Sequence, residues 1–385
     1  MRIIAFILSP FIFLLSFLWI KNDNIWVYGS WYGKLYKDNS KQLFEDAYII
    51  APDINHIWIY KDLNVLKFIP KGYKSIYAYS LEGFLIHLKA RVFVCTLNSS
   101  DFIPFFLSPK NIIIQLWHGS PLKNIGIDSR KTKIRKLLDK LRFNSIDSYT
   151  FCVSPASIFD SCFKSAFLLK EQNILRAAFP RNKSLFVSDD RKLEIRRLLE
   201  VKIDEKLILY LPTHRKEGNG SNLYEEVLKI NKYDNLFSEN NIKFFIKPHF
   251  YEMKNFKSFH DLKSIKLLPN LDINLYELLA SSDSLITDYS SVFFDFELLG
   301  KPICIYPYDL DEYLLDDRGL YFLPDFIFEN LRNTKVVSSI EMLVEFCITF
   351  TKNDVKNPVF PPTLFNESIE MGSLQIINAI KNKLF

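Results

Sequence analysis

Several familiar signatures are missing from this chain. It has no G-x-x-x-x-G-K-[ST], no G-x-G-x-x-G, no H-E-x-x-H and no G-x-S-x-G. P-loop, dinucleotide-fingerprint, zincin and α/β-hydrolase chemistry therefore have no sequence support. The five cysteines, Cys95, Cys152, Cys162, Cys304 and Cys347, form no C-x-x-C pair and are odd in number. They read as buried free thiols in a reducing compartment rather than as disulfides or metal ligands. No short-period repeat or low-complexity tract is present. Neither zinc-finger spacing nor an RNP-type aromatic motif occurs, so nucleic acid is not an expected partner. Asp309-Leu310-Asp311 has no matched second acidic cluster and reads as solvated acids rather than a divalent-cation site. No metal and no cofactor is expected.

What remains is a chain of 385 residues, 48% hydrophobic and 24% charged, with formal net charge +5. That is ample for two domains and excludes a mainly disordered protein. Much of the positive excess lies in Arg130, Lys131, Lys133, Arg135, Lys136, Lys140 and Arg142. Such a segment suits phosphates or anionic lipid, and it is equally the pattern of a solvated helix face. Ile3 to Ile20 is nearly all apolar, flanked by Arg2 and Lys21 and interrupted by Pro10. Its length and hydropathy predict a membrane anchor, straight or re-entrant, over residues 1–22. No small-residue cleavage site follows it.

Short β-type runs at Ile25–Ser30, Ile57–Tyr60, Ser75–Tyr79, Arg91–Cys95, Ile112–Leu116 and Tyr149–Val153 are separated by helix-length segments such as Leu81–Ala90. The alternation resumes after a charged helical stretch, Asp189–Glu200, with Leu207–Tyr210, Phe244–Ile246, Leu285-Ile286 and Ile303–Tyr306. This spacing predicts an α/β protein with parallel, Rossmann-like sheets and a domain boundary near Asn182–Asp190. The expected domains are 23–183 and 184–385.

The strand ends carry the chemistry. Ile112–Leu116 runs into Trp117-His118-Gly119-Ser120-Pro121-Leu122-Lys123, which places His118 where open α/β sheets bind ligands. A histidine there serves equally as a general base toward a hydroxyl or as a packed turn residue. In the second half, four strands end in Thr213-His214-Arg215, Lys247-Pro248-His249, Thr287-Asp288-Tyr289-Ser290-Ser291 and Pro307-Tyr308-Asp309. Ser290 and Ser291 alone read as a helix cap or as an anion site at the helix start. Together with Arg215, Lys247 and His249 they point to a polyanion site. Lys216–Ser221 reads as a mobile loop after its strand.

These motifs, in this order, resemble the CDP-glycerol glycerophosphotransferases of teichoic-acid and capsule synthesis. The matching pieces are Trp26–Gly33, Trp117–Lys123, Pro180-Arg181-Asn182, Pro212-Thr213-His214-Arg215, Lys247-Pro248-His249, Ile286–Ser291 and Arg318-Gly319-Leu320-Tyr321. Two residues depart from the family pattern: His214 stands where a tryptophan is usual, and Ser120 where threonine is common. The resemblance implies a GT-B fold, two Rossmann-like domains with a central cleft. It implies an enzyme at the cytoplasmic face of the cell membrane that moves a polyol phosphate from CDP-glycerol, or another CDP-polyol, to a lipid-linked saccharide or polymer acceptor. It makes His118 the candidate base and sets His249 and Arg215 beside the donor pyrophosphate. Ser290 and Ser291 would bind phosphate oxygens and Asp288 would orient their loop. Lys247, Gly119, Ser120, Glu297 and Arg181 complete the expected donor-binding set. The rival readings are a GT-B glycosyltransferase using a nucleotide sugar, and an inert membrane-tethered binder of anionic polymer.

Overall fold

The computed structural model describes residues 9–143, 147–213, 215, 223–249, 252–269, 273–316, 319–322, 333–349 and 367–384. Residues 3–8 of the apolar stretch, His214, residues 216–221 and Arg318 lie outside the described residues. The chain forms two compact units. The first comprises Met1–Gly119, Ile125–Arg181 and Phe365–Phe385, and the second Ser120–Asn124 and Asn182–Leu364.

In the first unit the strands are β1 (Asn22–Tyr28), β2 (Asn55–Tyr60), β3 (Ser75–Tyr77), β4 (Ala90–Cys95), β5 (Ile112–Gln115), β6 (Phe151–Ser154) and β7 (Ile174–Arg176). They form one sheet in the order β3-β2-β1-β4-β5-β6-β7, with every pairing parallel. Helices cover both faces of such a sheet, so its central strands need apolar residues on both sides. Ile112-Ile113-Ile114 and Val92-Phe93-Val94 are accordingly buried at every position. β7 was not legible in the sequence, because three half-buried edge residues carry no periodic pattern.

One expectation gains no support among the described residues, and another changes. The apolar amino-terminal stretch forms a helix over Ser9–Leu18, which packs on Pro104–Phe106. No helix among the described residues is long and apolar enough to cross a membrane. β1 begins at Asn22, so the sheet starts where the apolar run stops. The change concerns the chain end. The helix Gly372–Leu384 belongs to the first unit, not to the second. It packs on the helix Asp38–Ile50, and the buried Ser373 hydroxyl donates to Asp46 Oδ2 at 2.6 Å.

The second unit contains β8 (Lys206–Leu211), β9 (Ile242–Ile246), β10 (Ile265–Leu267), β11 (Ser284–Thr287), β12 (Ile303–Ile305) and β13 (Thr334–Val336). These six strands are also all parallel, in the order β10-β9-β8-β11-β12-β13. Their core includes Tyr210, Val227, Phe237, Phe244, Ile286 and Leu343, all buried. In each sheet the strand order reverses once, between β1 and β4 and between β8 and β11. A crevice outside the carboxyl ends opens at that reversal. β10 and β13, each three residues long, were missed for the same reason as β7.

Candidate active site

In the first unit the site is built around the turn after β5. Gln115, the last residue of β5, is buried; its amide donates to Leu97 O at 2.8 Å, and its Oε1 accepts from Trp117 N at 2.9 Å. Asn39 Nδ2 donates to Trp117 O at 2.9 Å. Arg181 Nη1 donates to His118 O at 2.7 Å. Three side chains, two of them from distant segments, thus hold consecutive peptide groups around His118. The backbone they hold is strained: Trp117 has φ 55° and Gly119 φ 143°. Trp31, Tyr32 and Asp38 also adopt left-handed φ values, at 48°, 61° and 71°. A non-glycine residue there costs about 1–2 kcal/mol, and such strain gathers at functional sites.

The His118 ring is half-buried, 4.1 Å between centroids from Trp117 and 5.3 Å from Trp31. Its Nδ1 lies 3.5 Å from Thr96 O. Asp38 accepts from Arg181 Nη1 at 2.9 Å and from Trp31 Nε1 at 3.2 Å. Burial pushes the Asp38 carboxyl up, but Arg181 and His118 outweigh it and hold the group below the usual carboxylate range. Arg181, expected at the donor, is therefore placed as the partner of Asp38 and of the His118 carbonyl. Asp101 ties the neighbouring turns together: it accepts from Thr96 N, Leu97 N and Tyr32 N at 2.9, 2.9 and 2.7 Å. Gly33, with φ +70°, approaches the same turn so closely that an added Cβ would lie 2.9 Å from Lys61 Cγ.

In the second unit the organising group is Arg215. Its Nε donates to Asp309 Oδ2 at 2.6 Å; Nη2 donates to Asp309 Oδ1 at 2.9 Å and to Asp288 Oδ2 at 2.8 Å. Nη1 donates to Thr213 O at 2.6 Å. The guanidinium carbon lies 5.0–5.3 Å from the ring centres of Tyr289, Tyr308 and Tyr313. Burial alone would lower the Arg215 pKa, but Asp288 and Asp309 raise it above its ordinary value. Asp288 also accepts from Thr213 N and Tyr289 N. It joins the loops after β8 and β11, where the strand order reverses. Asp309, expected as a solvated acid, is buried and also accepts from the Tyr289 hydroxyl at 3.0 Å.

The remaining expected residues fall into two groups. Lys247 and His249 follow β9 with exposed side chains. The turn carrying His249 is closed by Glu252 N to His249 O at 2.7 Å, and Glu252 Oε1 accepts from Arg215 N at 3.0 Å. The His249 turn is thereby fastened to the Arg215 segment. Ser290 and Ser291 are half-buried before the helix Val292–Glu297, which has only six residues. Ser291 makes no side-chain capping bond, and Ser290 Oγ accepts from Val292 N at a long 3.4 Å. Little of either hydroxyl is committed to capping. Glu297 is buried at the end of that helix. Ser120 is buried in the second unit, and its hydroxyl has no partner among the described residues.

Sequence reasoning missed Asp38, Asn39, Gln115, Asp101 and Glu252. Each is an ordinary polar residue in sequence, and all but Gln115 gain their role from a partner far along the chain. Asn39, 142 residues from Arg181, shows why no local signal marks it.

Each of the two units is a parallel α/β sheet with polar and charged groups at the carboxyl ends of its strands, where sheets of this kind bind ligands. The chain belongs to the CDP-glycerol:poly(glycerophosphate) glycerophosphotransferase family, whose model matches residues 11–358. It is 27% identical over 351 residues to the teichoic acid glycerol-phosphate transferase of Staphylococcus aureus (strain NCTC 8325 / PS 47), covering 85% of each chain. It is 32% identical over 321 residues to the teichoic acid poly(glycerol phosphate) polymerase of Staphylococcus epidermidis, covering 78% of this chain and 43% of that one. The fold is that of the wall teichoic acid polymerase TagF, with TM-score 0.77 over 94% of this chain and 90% of that chain at 23% identity.

Proposed function

We propose that this transferase moves glycerol phosphate from CDP-glycerol to a hydroxyl of a lipid-linked acceptor or growing surface polymer, releasing CMP. The observation that carries this reading is the coincidence of family membership with a polar set at the β8, β9 and β11 ends. The acceptor oxygen attacks the phosphorus bonded to glycerol, and the bond from that phosphorus to the bridging oxygen breaks. CMP leaves with that oxygen, and the hydroxyl proton passes to His118. With Nδ1–H turned toward Thr96 O, Nε2 carries the lone pair that accepts the proton. Lys247, His249, Ser290 and Ser291 donate to the phosphate oxygens as charge grows on the leaving group.

In this mechanism Arg215, Asp288 and Arg181 are positioning residues. The GT-B arrangement implied by the resemblance belongs to the same reading. CMP release from CDP-glycerol, compared with CDP-ribitol and UDP- and GDP-sugars, is the test. Release of UDP or GDP from a sugar nucleotide instead would assign the chain to the glycosyltransferases.

Membrane association is part of the proposal, and the helix Lys133–Phe143 supplies a surface for it. On this helix Ile134, Leu137, Leu138 and Leu141 are 73, 58, 58 and 60% exposed. Their i, i+3, i+4, i+7 spacing makes one apolar stripe, flanked by Lys133, Arg135, Lys136 and Lys140. A solvated helix face has no use for four exposed leucine-type side chains, whereas an anionic lipid surface matches both the stripe and the charge. Co-sedimentation with vesicles containing phosphatidylglycerol is expected. It should fall at least tenfold in Leu137→Gln/Leu141→Gln, and unchanged binding would contradict the assignment.

A further inference from the structure

The turn that closes the motif Trp26–Gly33 presents an indole to the candidate base. We propose that Trp31 is a positioning residue for His118, setting the orientation of the imidazole for proton transfer. The inference rests on the reading of His118 as the base.

Trp31 lies just beyond β1, half-buried, with its backbone left-handed at φ 48°. Glycine or asparagine suits such a position, and a bulky aromatic residue there is strained. The surroundings enforce the turn nonetheless. Gly33 N donates to Ser30 O at 2.9 Å, Ser30 Oγ to Leu35 O at 2.8 Å and Tyr32 N to Asp101 Oδ1 at 2.7 Å. Strain over-determined in this way is a mark of functional sites.

The indole is fixed by its own N–H. Nε1 donates to Asp38 Oδ2 at 3.2 Å, while Asp38 Oδ1 accepts from Arg181 Nη1 at 2.9 Å. The same Arg181 nitrogen donates to His118 O at 2.7 Å. One carboxylate thus references both parts of His118, its main chain through Arg181 and its ring through Trp31.

The Trp31 and His118 ring centres are 5.3 Å apart, with planes at 49°. Trp117 also packs on the imidazole, at 4.1 Å, but it precedes His118 in sequence and moves with the same turn. The Nδ1 contact to Thr96 O, at 3.5 Å, is at the long limit of a hydrogen bond and holds the ring loosely. Trp31 is a wall brought from a separate strand end, against which the ring is set. Its π face also favours the imidazolium that forms once the proton is accepted, because the ring quadrupole attracts a cation. Lys37 Nζ already lies 5.1 Å from the same ring centre.

The test joins CMP release from CDP-glycerol to NMR of the histidine imidazoles, in the full chain as wild type, Trp31→Leu and Trp31→Phe. His118→Ala identifies the His118 signal among the six histidines. Ring currents from the two indoles should displace that signal, and Trp31→Leu should bring it part of the way back. In the same variant kcat should fall at least about tenfold, with the thermal midpoint and the KM for donor and acceptor little changed. Trp31→Phe, which keeps a ring beside the imidazole, should recover most of the lost rate. A His118 signal unmoved in Trp31→Leu would overturn the proposal. So would an unchanged kcat, or a rise in acceptor KM alone, which would make Trp31 a substrate platform. Equal rate losses in both variants that follow a fall in midpoint would reduce Trp31 to packing. If CDP-glycerol is not the donor, wild type itself releases no CMP, and the NMR comparison decides alone.

Discussion

The two units carry charged strand-end residues under opposite constraints. In the first, the His118 ring is half-buried, and the contacts around it grip the backbone: Gln115, Asn39 and Arg181 each bind a peptide group. In the second, the Arg215 side chain is itself gripped, by two carboxylates and three tyrosine rings. The proposed role of His118 as proton acceptor needs a free ring edge, and its scaffold holds the main chain instead. A buried guanidinium bonded to two carboxylates organises its neighbours. In the proposed mechanism the motif histidine of the first unit is reactive and the motif arginine of the second is architectural.

Arg215→Ala should break this comparison most severely. It leaves Asp288 and Asp309 buried without their cation, which typically costs about 3–5 kcal/mol. Urea denaturation should show that loss, and activity should vanish with the fold. Asp309→Asn, which keeps the shape and one hydrogen-bond acceptor, should lose less than Arg215→Ala. If Arg215→Ala instead keeps wild-type stability and loses only donor affinity, Arg215 is a ligand-binding residue.

A pH series separates the units without touching either cluster. His87 is fully buried in the first unit; its Nδ1 lies 2.6 Å from Gly83 O, and its Nε2 accepts from Ile103 N at 3.2 Å. Burial chiefly, with Lys61 and Lys21, lowers its pKa to about 4 from 6.5. The folded value is depressed, so the contribution is fully present above pH 6.5 and is lost as pH falls through 4. The linkage predicts a loss of roughly 3 kcal/mol by pH 4. The measurement is the thermal midpoint of wild type and His87→Asn across that range, and a parallel decline in both would remove His87 as the cause.

The smallest expected effect sharpens the comparison most finely. Asn39→Ala removes the bond to Trp117 O but leaves His118 in place. Its kcat should fall about tenfold, in line with a lost hydrogen bond that misplaces a catalytic group. The KM for the donor should not move. A KM effect with unchanged kcat would assign Asn39 to binding instead.

The sequence made most of the fold legible because parallel strands buried on both faces are dense apolar runs. Ile112–Ile114 and Leu207–Tyr210 stand out for that reason, whereas β7, β10 and β13 are too short to show a period. The final helix was assigned to the wrong unit, since its docking on Asp38–Ile50 joins positions 327 residues apart. At the candidate site the motif residues were visible, but their surroundings were not. The pairing of Arg215 with Asp309 left no trace in the sequence, because the two are 94 residues apart. Asp309 read as solvated for the same reason. Charge can be read from a residue type, but burial and pairing come only from the fold.

The most direct test of the account is CMP release from CDP-glycerol by wild type and by His118→Ala, with circular dichroism and thermal midpoint measured on the same samples. The account predicts release by wild type. His118→Ala should lose at least about 100-fold in rate with an unchanged fold and midpoint. A near-wild-type rate in His118→Ala, or a rate loss that only follows unfolding, would contradict the assignment of His118 as the base.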